Sequence, residues 1–275
     1  MRPSLFQRNF LRFALLIVLG EIHAEWGGEA SVGANPTAYY NEEIQKQQSN
    51  FRTQISGTRH ALSFTGKIHY EWIGARFWFD NYFGATGKQK TQSNVQGPGN
   101  SSSYQSVENE GVDFSAVRNW RGELQLRKFY YGHREYLSLN IGLMYRKVAT
   151  SLTGQPADYV ATSFVQRYAT VGVSWEPLIT NFGRFELSLP IDFSVALKFP
   201  EGGIFASGAG PGGVFFGAGA RLQFEPRGAF LTTQGVVNFH DTPYTANGAT
   251  YSFSQVEIAL RIMVGYYFRT PVYNE

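Results

Sequence analysis

The sequence predicts an all-β protein, a ten-stranded antiparallel transmembrane β-barrel with short periplasmic turns and long extracellular loops. Three observations predict this fold: segments in which apolar and polar residues alternate, an N-terminal segment typical of exported proteins, and connections that alternate in length. A period of two places successive side chains on opposite faces of a strand. In a membrane barrel one face contacts lipid and the other faces a polar lumen.

The clearest alternation is in the last predicted strand, residues 256–268. Val256, Leu260 and Val264 share one face, whereas Glu257 and Arg261 lie on the other. The same pattern, less regular in the first and third strands, predicts nine further strands at 29–40, 62–72, 76–83, 120–127, 137–146, 168–176, 185–199, 216–225 and 231–239.

The connections between these strands alternate between short and long. The short ones are a turn at Ile73-Gly74-Ala75 and segments at 131–134, 178–183 and 226–228. The long ones are rich in Gly, Pro, Ser, Asn and Thr, and include the predicted loops 84–114 and 241–250. An outer-membrane barrel has this arrangement, whereas a soluble β-sandwich gives no reason for it. Because open sheet edges are not tolerated in lipid, the sheet must close on itself.

The first 24 residues resemble a secretory signal peptide. Arg2, Arg8 and Arg12 precede a short apolar run at 13–19, and an Ile22-His23-Ala24 exit follows. The run is shorter than the roughly 20 residues that a membrane-spanning helix needs; a short buried helix is the alternative. We therefore expect a signal peptide at 1–24, a barrel at 25–275, and a location in the outer membrane of a Gram-negative-type bacterium.

Composition excludes several classes of function. The chain has no cysteine, so disulfides, thiolate nucleophiles and cysteine-based metal sites are excluded. The formal charge of +3 falls to +1 without residues 1–24, which carry three arginines and one glutamate. No basic patch indicates a nucleic-acid partner. We expect no cofactor and no metal.

Aromatic residues cluster near both ends of the predicted lipid-facing rows. Such rings prefer the membrane–water interfaces. Counting along the strands predicts an aromatic girdle that includes Trp72, Trp120, Tyr145, Trp175, Tyr266 and Phe268.

The polar face of the strands predicts a lumen that holds equal numbers of cationic and anionic residues, together with one histidine. The predicted lumen ion-pair network consists of Lys67, His69, Glu71, Arg76, Asp80, Arg121, Glu123, Arg127, Arg146, Glu176, Glu186, Asp192, Lys198, Arg221, Glu225, Glu257 and Arg261. A barrel only slightly wider than eight strands leaves little room for water. We therefore expect paired charges that plug the lumen; the alternative is a narrow pathway for small solutes.

No catalytic constellation is evident. His240-Asp241 is predicted at the outer rim, but adjacent strand residues point to opposite faces and cannot pair directly. The motifs G-x-S-x-G and H-E-x-x-H do not occur. We expect no catalytic residue.

The signal peptide, ten strands, long outer loops and aromatic closing strand together resemble the omptin class of outer-membrane barrels. Omptins are surface proteases that use an acidic pair and an Asp–His couple at the outer rim. The corresponding region here reads Pro200-Glu201-Gly202-Gly203-Ile204 without a histidine, and Asp80-Asn81 supplies half of an acidic pair. The resemblance therefore implies the fold and no catalytic residue.

The ending Tyr266-x-Phe268 is similar to the signal read by the barrel insertion machinery, although a tail of seven residues, 269–275, follows it. The expected partners are outer-membrane lipid, this machinery and a surface ligand of the extracellular loops. The expected function is a structural or surface-interaction scaffold; the alternatives are a narrow, porin-like solute channel and an omptin-like rim hydrolase.

Overall fold

The computed structural model describes residues 26–46, 52–96, 102–112, 118–130, 135–149, 163–198, 211–225, 228–246 and 249–269. The predicted signal peptide at 1–24 lies outside the described residues. The strands are β1 (Trp26–Lys46), β2 (Arg52–Tyr70), β3 (Ile73–Gln96), β4 (Ser102–Val112), β5 (Arg118–Tyr130), β6 (Glu135–Ala149), β7 (Ser163–Glu176), β8 (Leu178–Phe182), β9 (Phe185–Ser188), β10 (Ile191–Lys198), β11 (Pro211–Phe224), β12 (Gly228–Ala246) and β13 (Ala249–Arg269). No helix within these ranges is long and apolar enough to cross a membrane.

The strands form one antiparallel sheet that closes on itself. Their order is β10-β7-β6-β5-β3-β2-β1-β13-β12-β11, and pairing between β10 and β11 completes the ring. The wall has ten positions, because β4 continues the position of β5 beside β3, β8 continues β7, and β9 continues β10. The predicted ten-stranded antiparallel barrel is confirmed.

One predicted strand, 185–199, is interrupted. It forms β9 and β10, with Leu189 and Pro190 between them. Proline has no backbone N–H and cannot donate to the ladder. The wall nevertheless stays connected here, because the Gly219 amide donates to the Pro190 carbonyl and the Leu189 amide to the Pro177 carbonyl, both at 3.1 Å.

Two tight turns lie at the end of the barrel that carries Trp26 and Arg269, which we call the turn end. The predicted turn at Ile73-Gly74-Ala75 is wrong: these residues begin β3, and the turn is formed by Glu71 and Trp72. Glu71 adopts a φ of 48°, and Gly183 in the β8–β9 turn a φ of 64°. Tight hairpins require positive φ, which glycine accepts more readily than glutamate.

At the opposite end, the loop end, six neighbouring strands continue as a sheet beyond the aromatic residues. The predicted loops at 84–114 and 241–250 are wrong over most of their length: β3 runs to Gln96, β4 pairs with it, and β12 and β13 pair up to Ala246 and Ala249. We call this sheet the rim extension; it comprises residues 41–46, 52–58, 84–96, 102–112, 241–246 and 249–255. Apolar alternation is missing there because neither face needs to contact lipid.

The outward face of the barrel wall is apolar and the inward face is polar, as the alternating sequence pattern predicts. Outward side chains are apolar and exposed, such as Leu124 at 68% and Leu260 at 43%. Inward side chains are polar or charged and buried, such as Arg76 at 3% and Glu123 at 4%. This distribution is the reverse of a water-soluble barrel and fits an outer surface in contact with lipid.

Candidate functional site in the barrel lumen

The middle of the lumen is crossed by a contact between Arg76 and Asp192. Arg76 Nη1 lies 2.6 Å from Asp192 Oδ1, while Arg76 Nε and Nη2 donate to Glu123 Oε2 at 2.9 and 2.8 Å. Asp192 also accepts from Ser174 Oγ at 2.5 Å and from Gln234 Nε2 at 3.2 Å. We call Asp192 and its three partners Arg76, Ser174 and Gln234 the Asp192 layer.

Further contacts support this layer. Arg121 pairs with Glu123 and donates to Ser194 Oγ at 2.7 Å. The Asn140 side chain accepts from Gln125 at 3.0 Å and donates to Ser174 Oγ at 2.7 Å. These contacts hold the Asp192 layer to β5, β6, β7 and β10.

A second charged layer lies toward the turn end. Glu29 pairs with Lys67 at 2.8 Å and with Arg221 at 2.6 Å. Arg221 Nε lies 3.7 Å from Glu176, whose carboxylate accepts from Ser188 Oγ at 2.9 Å. Glu29 and Arg221 belong to β1 and β11, which are separated in the wall by β13 and β12. This layer, which we call the turn-side layer, therefore also spans the interior.

Aromatic contacts lie between the turn-side layer and the turn end of the barrel. The Arg127 guanidinium stacks 4.3 Å from the centre of the Tyr136 ring. The His69 imidazole lies parallel to the Tyr267 ring, with 3.3 Å between Nε2 and the hydroxyl. These residues narrow the lumen near its turn end.

A third layer lies toward the loop end. Arg59 forms an ion pair with Glu257, and its guanidinium carbon lies 4.7 Å from the centre of the Tyr40 ring and 4.6 Å from that of the Tyr82 ring. Glu257 Oε1 accepts from the Tyr82 hydroxyl at 2.7 Å and from Asn238 Nδ2 at 3.1 Å. We call these residues the loop-side layer. Cation–π contact and a fully bonded carboxylate compensate the desolvation of both charges.

One more ion pair lies on the loop side of the Asp192 layer. Arg261 Nη2 lies 3.0 Å from Asp80 Oδ2, and Ser63 Oγ donates to Asp80 Oδ1 at 2.5 Å. Arg261 on β13 and Asp80 on β3 are separated in the wall by β1 and β2.

Two cavities lie within the lumen. The cavity nearer the loop end, which we call the upper cavity, has a volume of about 70 Å³. Its lining includes Asp80, Asn119, Arg121, Val236 and Asn238. The cavity nearer the turn end, which we call the lower cavity, has a volume of about 50 Å³. Its lining includes Glu29, Lys67, Glu176, Arg221 and Thr232. Four residues line both cavities: Trp78, Asp192, Gln234 and Arg261.

Most of the predicted lumen residues lie inside the barrel, but two do not, and two lie at its ends. Glu71 lies in the β2–β3 turn rather than on a strand face, so the prediction for it is wrong. Glu225 follows β11 and lies 3.6 Å from Arg184, with both side chains largely exposed, so that prediction is also wrong. Glu186 and Lys198 are half-buried at the two ends of the β9–β10 position.

The buried Arg146 lies opposite Asn119 and Gln166 in the sheet register. Its depth and that of Arg59 make the loop end of the lumen rich in buried guanidinium groups.

Sequence reasoning missed several residues of these layers. Glu29 shares the inward face of β1, so the period of two could have identified it. Arg59 lies in the part of β2 that precedes the predicted strand. Trp78 and Tyr82 share a face with Asp80, but aromatic residues on both faces of this segment obscured the assignment.

The predicted girdle residues lie at two levels. Trp175, Tyr266 and Phe268 are outward and exposed at the turn end, and Trp72 lies there in the turn itself. Trp120 and Tyr145 stack on each other at the loop end, with 5.5 Å between ring centres.

The rim residues His240 and Asp241 point to opposite sides of the wall. His240 is 1% exposed and contacts the rings of Tyr168 and Phe215, whereas Asp241 is exposed. They do not form an Asp–His couple. Within the described ranges, no group of three or more His, Cys, Asp or Glu residues could hold a metal ion.

The chain is similar to several solved structures. The outer membrane protease OmpT from Escherichia coli matches with a TM-score of 0.55 and 12% identity, over 88% of this chain and 97% of that chain. The β domain of the Bordetella autotransporter BrkA matches with a TM-score of 0.33 and 12% identity, over 88% and 98%. No protein-family model and no curated protein matches the sequence.

The similarity to OmpT shows the fold alone. This similarity confirms the predicted resemblance to the layout of an omptin barrel. The chain is therefore an all-β, ten-stranded antiparallel closed barrel with the fold of the outer-membrane barrel that it matches.

Proposed function

We propose that this protein is an outer-membrane scaffold of a Gram-negative bacterium, whose closed, charge-paired barrel presents the rim extension at the cell surface. The observation that carries the proposal is the set of contacts that cross the lumen at three levels. Arg76–Asp192, Arg221–Glu29 and the Glu257–Tyr82 hydrogen bond each join strands that are not neighbours in the wall.

These contacts favour a closed lumen over a wide pore. A diffusion porin needs roughly 16–18 strands to leave an aqueous channel, whereas barrels of about eight strands are filled by side chains. Here the filling consists of paired charges at three levels. Breaking such a pair leaves a buried charge uncompensated, so the closed arrangement is resistant to opening.

The rim extension supports a role at the surface. Within the described residues, β4 pairs only with β3, and residues 241–246 of β12 pair only with β13. Among the described strands, the sheet therefore has two edges, and a strand edge of this kind can pair with an extended segment of another chain. In the register of β3 and β4, Lys88 lies opposite Glu110 and Lys90 opposite Glu108.

The outward face supports two further partners. Exposed Leu, Val, Ile and Phe side chains suit contact with outer-membrane lipid. Tyr266 and Phe268 near the end of β13 suit recognition of this strand by the barrel insertion machinery.

Two experiments test the proposal. Purified barrel in a planar bilayer should show no steady current; a steady current at low voltage would contradict the closed lumen. A variant in which residues 88–110 are replaced by an Asn-Gly turn should keep heat-modifiable migration on gels but lose adhesion of displaying cells to immobilised unfolded protein, whose extended segments are what a strand edge pairs with. Adhesion that survives this shortening would contradict a role for the β3–β4 hairpin.

A further inference from the structure

Inside the lumen, the two cavities are separated by a partition that is only one layer of side chains thick. Trp78, Asp192, Gln234 and Arg261 line both cavities, so each of these side chains faces both spaces. Within this layer, the Asp192 carboxylate accepts a hydrogen bond from Gln234 Nε2 at 3.2 Å. It also accepts one from Arg76 Nη1 at 2.6 Å. Asp192 thus holds the partition together from β10.

Exposure of the side chains supports this position. The Asp192 side chain is 24% exposed, whereas Glu123, which binds the same arginine, has no exposed side-chain surface. Asp192 lies inside the barrel, and it lines both cavities, so we attribute its exposed surface to them. A water needs roughly 10–15 Å³ of such space and two or more polar partners, so each cavity has room for a few waters.

Each cavity reaches toward one of the other charged layers. The upper cavity is lined by Asn238, whose amide bonds Glu257 of the loop-side layer. The lower cavity is lined by Glu29, Lys67 and Arg221 of the turn-side layer. The Asp192 layer is therefore the partition between two chambers in series.

We propose that the lumen is an interrupted pathway for water and small monovalent ions, and that the Asp192 layer is its central gate. This activity goes beyond the scaffold role. An ion that crosses the gate must replace one member of the Arg76–Asp192 pair, because both charges are otherwise compensated by each other and by Glu123, Ser174 and Gln234. Loss of the Asp192 carboxylate frees Gln234 and weakens the layer of four side chains that divides the chambers.

The absence of cysteine from the chain makes a direct test available. Thr232→Cys places one thiol in the lower cavity and Val236→Cys places one in the upper cavity, both on β12 and on either side of Gln234. The probe is Ag⁺, a small monovalent cation, added to the loop side of sealed proteoliposomes that hold the full barrel. The readout is the loss of maleimide labelling after the protein is unfolded.

With Asp192 present, we expect Ag⁺ to reach Val236→Cys at least about tenfold faster than Thr232→Cys, the ratio that a barrier of about 1.4 kcal/mol gives. With Asp192→Ala, or with Gln234→Ala if the first variant does not fold, the two rates should become equal. Glu257→Gln is the matched control, because it removes a buried carboxylate that lines neither cavity; it should leave the ratio unchanged.

Three outcomes would overturn the gate: a ratio that Asp192→Ala and Gln234→Ala leave unchanged, equal rates already in Glu257→Gln, or no reaction at Val236→Cys. Heat-modifiable migration verifies that each variant is folded. The scaffold proposal fails by a different result, a steady current in the unmodified protein, so the two failures are distinguishable.

Discussion

Arg76 and Asp192 join opposite sides of the barrel: Nη1 and Oδ1 lie 2.6 Å apart, although β5, β6 and β7 separate β3 from β10 in the wall. The same guanidinium binds Glu123 on the neighbouring strand through Nε and Nη2. A planar group with five donors can serve two carboxylates at once, which a lysine ammonium on a flexible stem does less well. The guanidinium also stacks on Trp78, 3.7 Å from the ring centre.

The first prediction is that Arg76→Ala strongly destabilises the barrel. It leaves Glu123 and Asp192 without their shared counter-charge in a space that excludes most water. Removing one partner of a buried pair costs about 3–5 kcal/mol of the free energy of unfolding, and less where water enters. Urea unfolding in lipid vesicles measures this change.

Arg184→Ala is the matched control for that measurement. Arg184 lies 3.6 Å from Glu225, and the two side chains are 74% and 45% exposed. Exposed pairs contribute about 0–1 kcal/mol. If both arginine variants unfold at the same urea concentration, the lumen contact does not stabilise the fold.

The second prediction concerns the loop-side layer, where Tyr82→Phe removes one hydroxyl and keeps the ring beside Arg59. The hydroxyl donates to Glu257 at 2.7 Å, and both groups are buried. A hydrogen bond to a charged group contributes about 1.5–3 kcal/mol, so the free energy of unfolding of the variant should be lower by that amount. Tyr39→Phe, on the exposed outer face of β1, should change the unfolding free energy little. Equal effects of the two changes would contradict a stabilising role for this contact.

The period of two predicted the faces of the strands but not the partners across the lumen. Which inward residues meet depends on the order of strands round the ring and on their stagger, and neither is encoded in a local pattern. Arg76 and Asp192 are 116 positions apart in sequence. Their polar character and inward parity were evident; their contact was not.

The pattern also failed where lipid contact ends. Residues 84–96 and 102–112 are strands, but no apolar alternation marks them, because both faces lie beyond the aromatic level. Conversely, residues 185–199 alternate as one strand, yet Pro190 interrupts the ladder. Side-chain periodicity reports the environment of a strand rather than its hydrogen bonds.

The third prediction compares two glycines on neighbouring strands. A Cβ at Gly142, on the lumen face of β6, would lie against the Gly122 carbonyl oxygen and 2.7 Å from Glu123 Cγ. A Cβ at Gly122 would meet nothing within 4 Å. Gly142→Ala should therefore displace the glutamate that binds Arg76 and cost about 1–3 kcal/mol, as overpacking does.

Gly122→Ala should be neutral or slightly stabilising, since it adds a methyl group in open space on the outer face. The temperature at which the folded form disappears on gels compares the two variants. An equal fall for both would indicate that strand propensity, rather than the space beside Glu123, determines the cost.

The fourth prediction tests the lipid-facing side of β13. Leu260 is outward and 43% exposed, midway between Val256 and Val264. Arginine at this depth costs about 2–4 kcal/mol, whereas near an interface it costs about 0–1 kcal/mol. Leu260→Arg should therefore reduce the folded fraction in lipid vesicles, while Phe239→Arg, at the loop-end aromatic level, should reduce it less. Leu260→Ala separates loss of apolar area from gain of charge. If arginine is tolerated equally at 260 and 239, the apolar outer face of β13 is not at the depth that its register with β1 and β12 indicates.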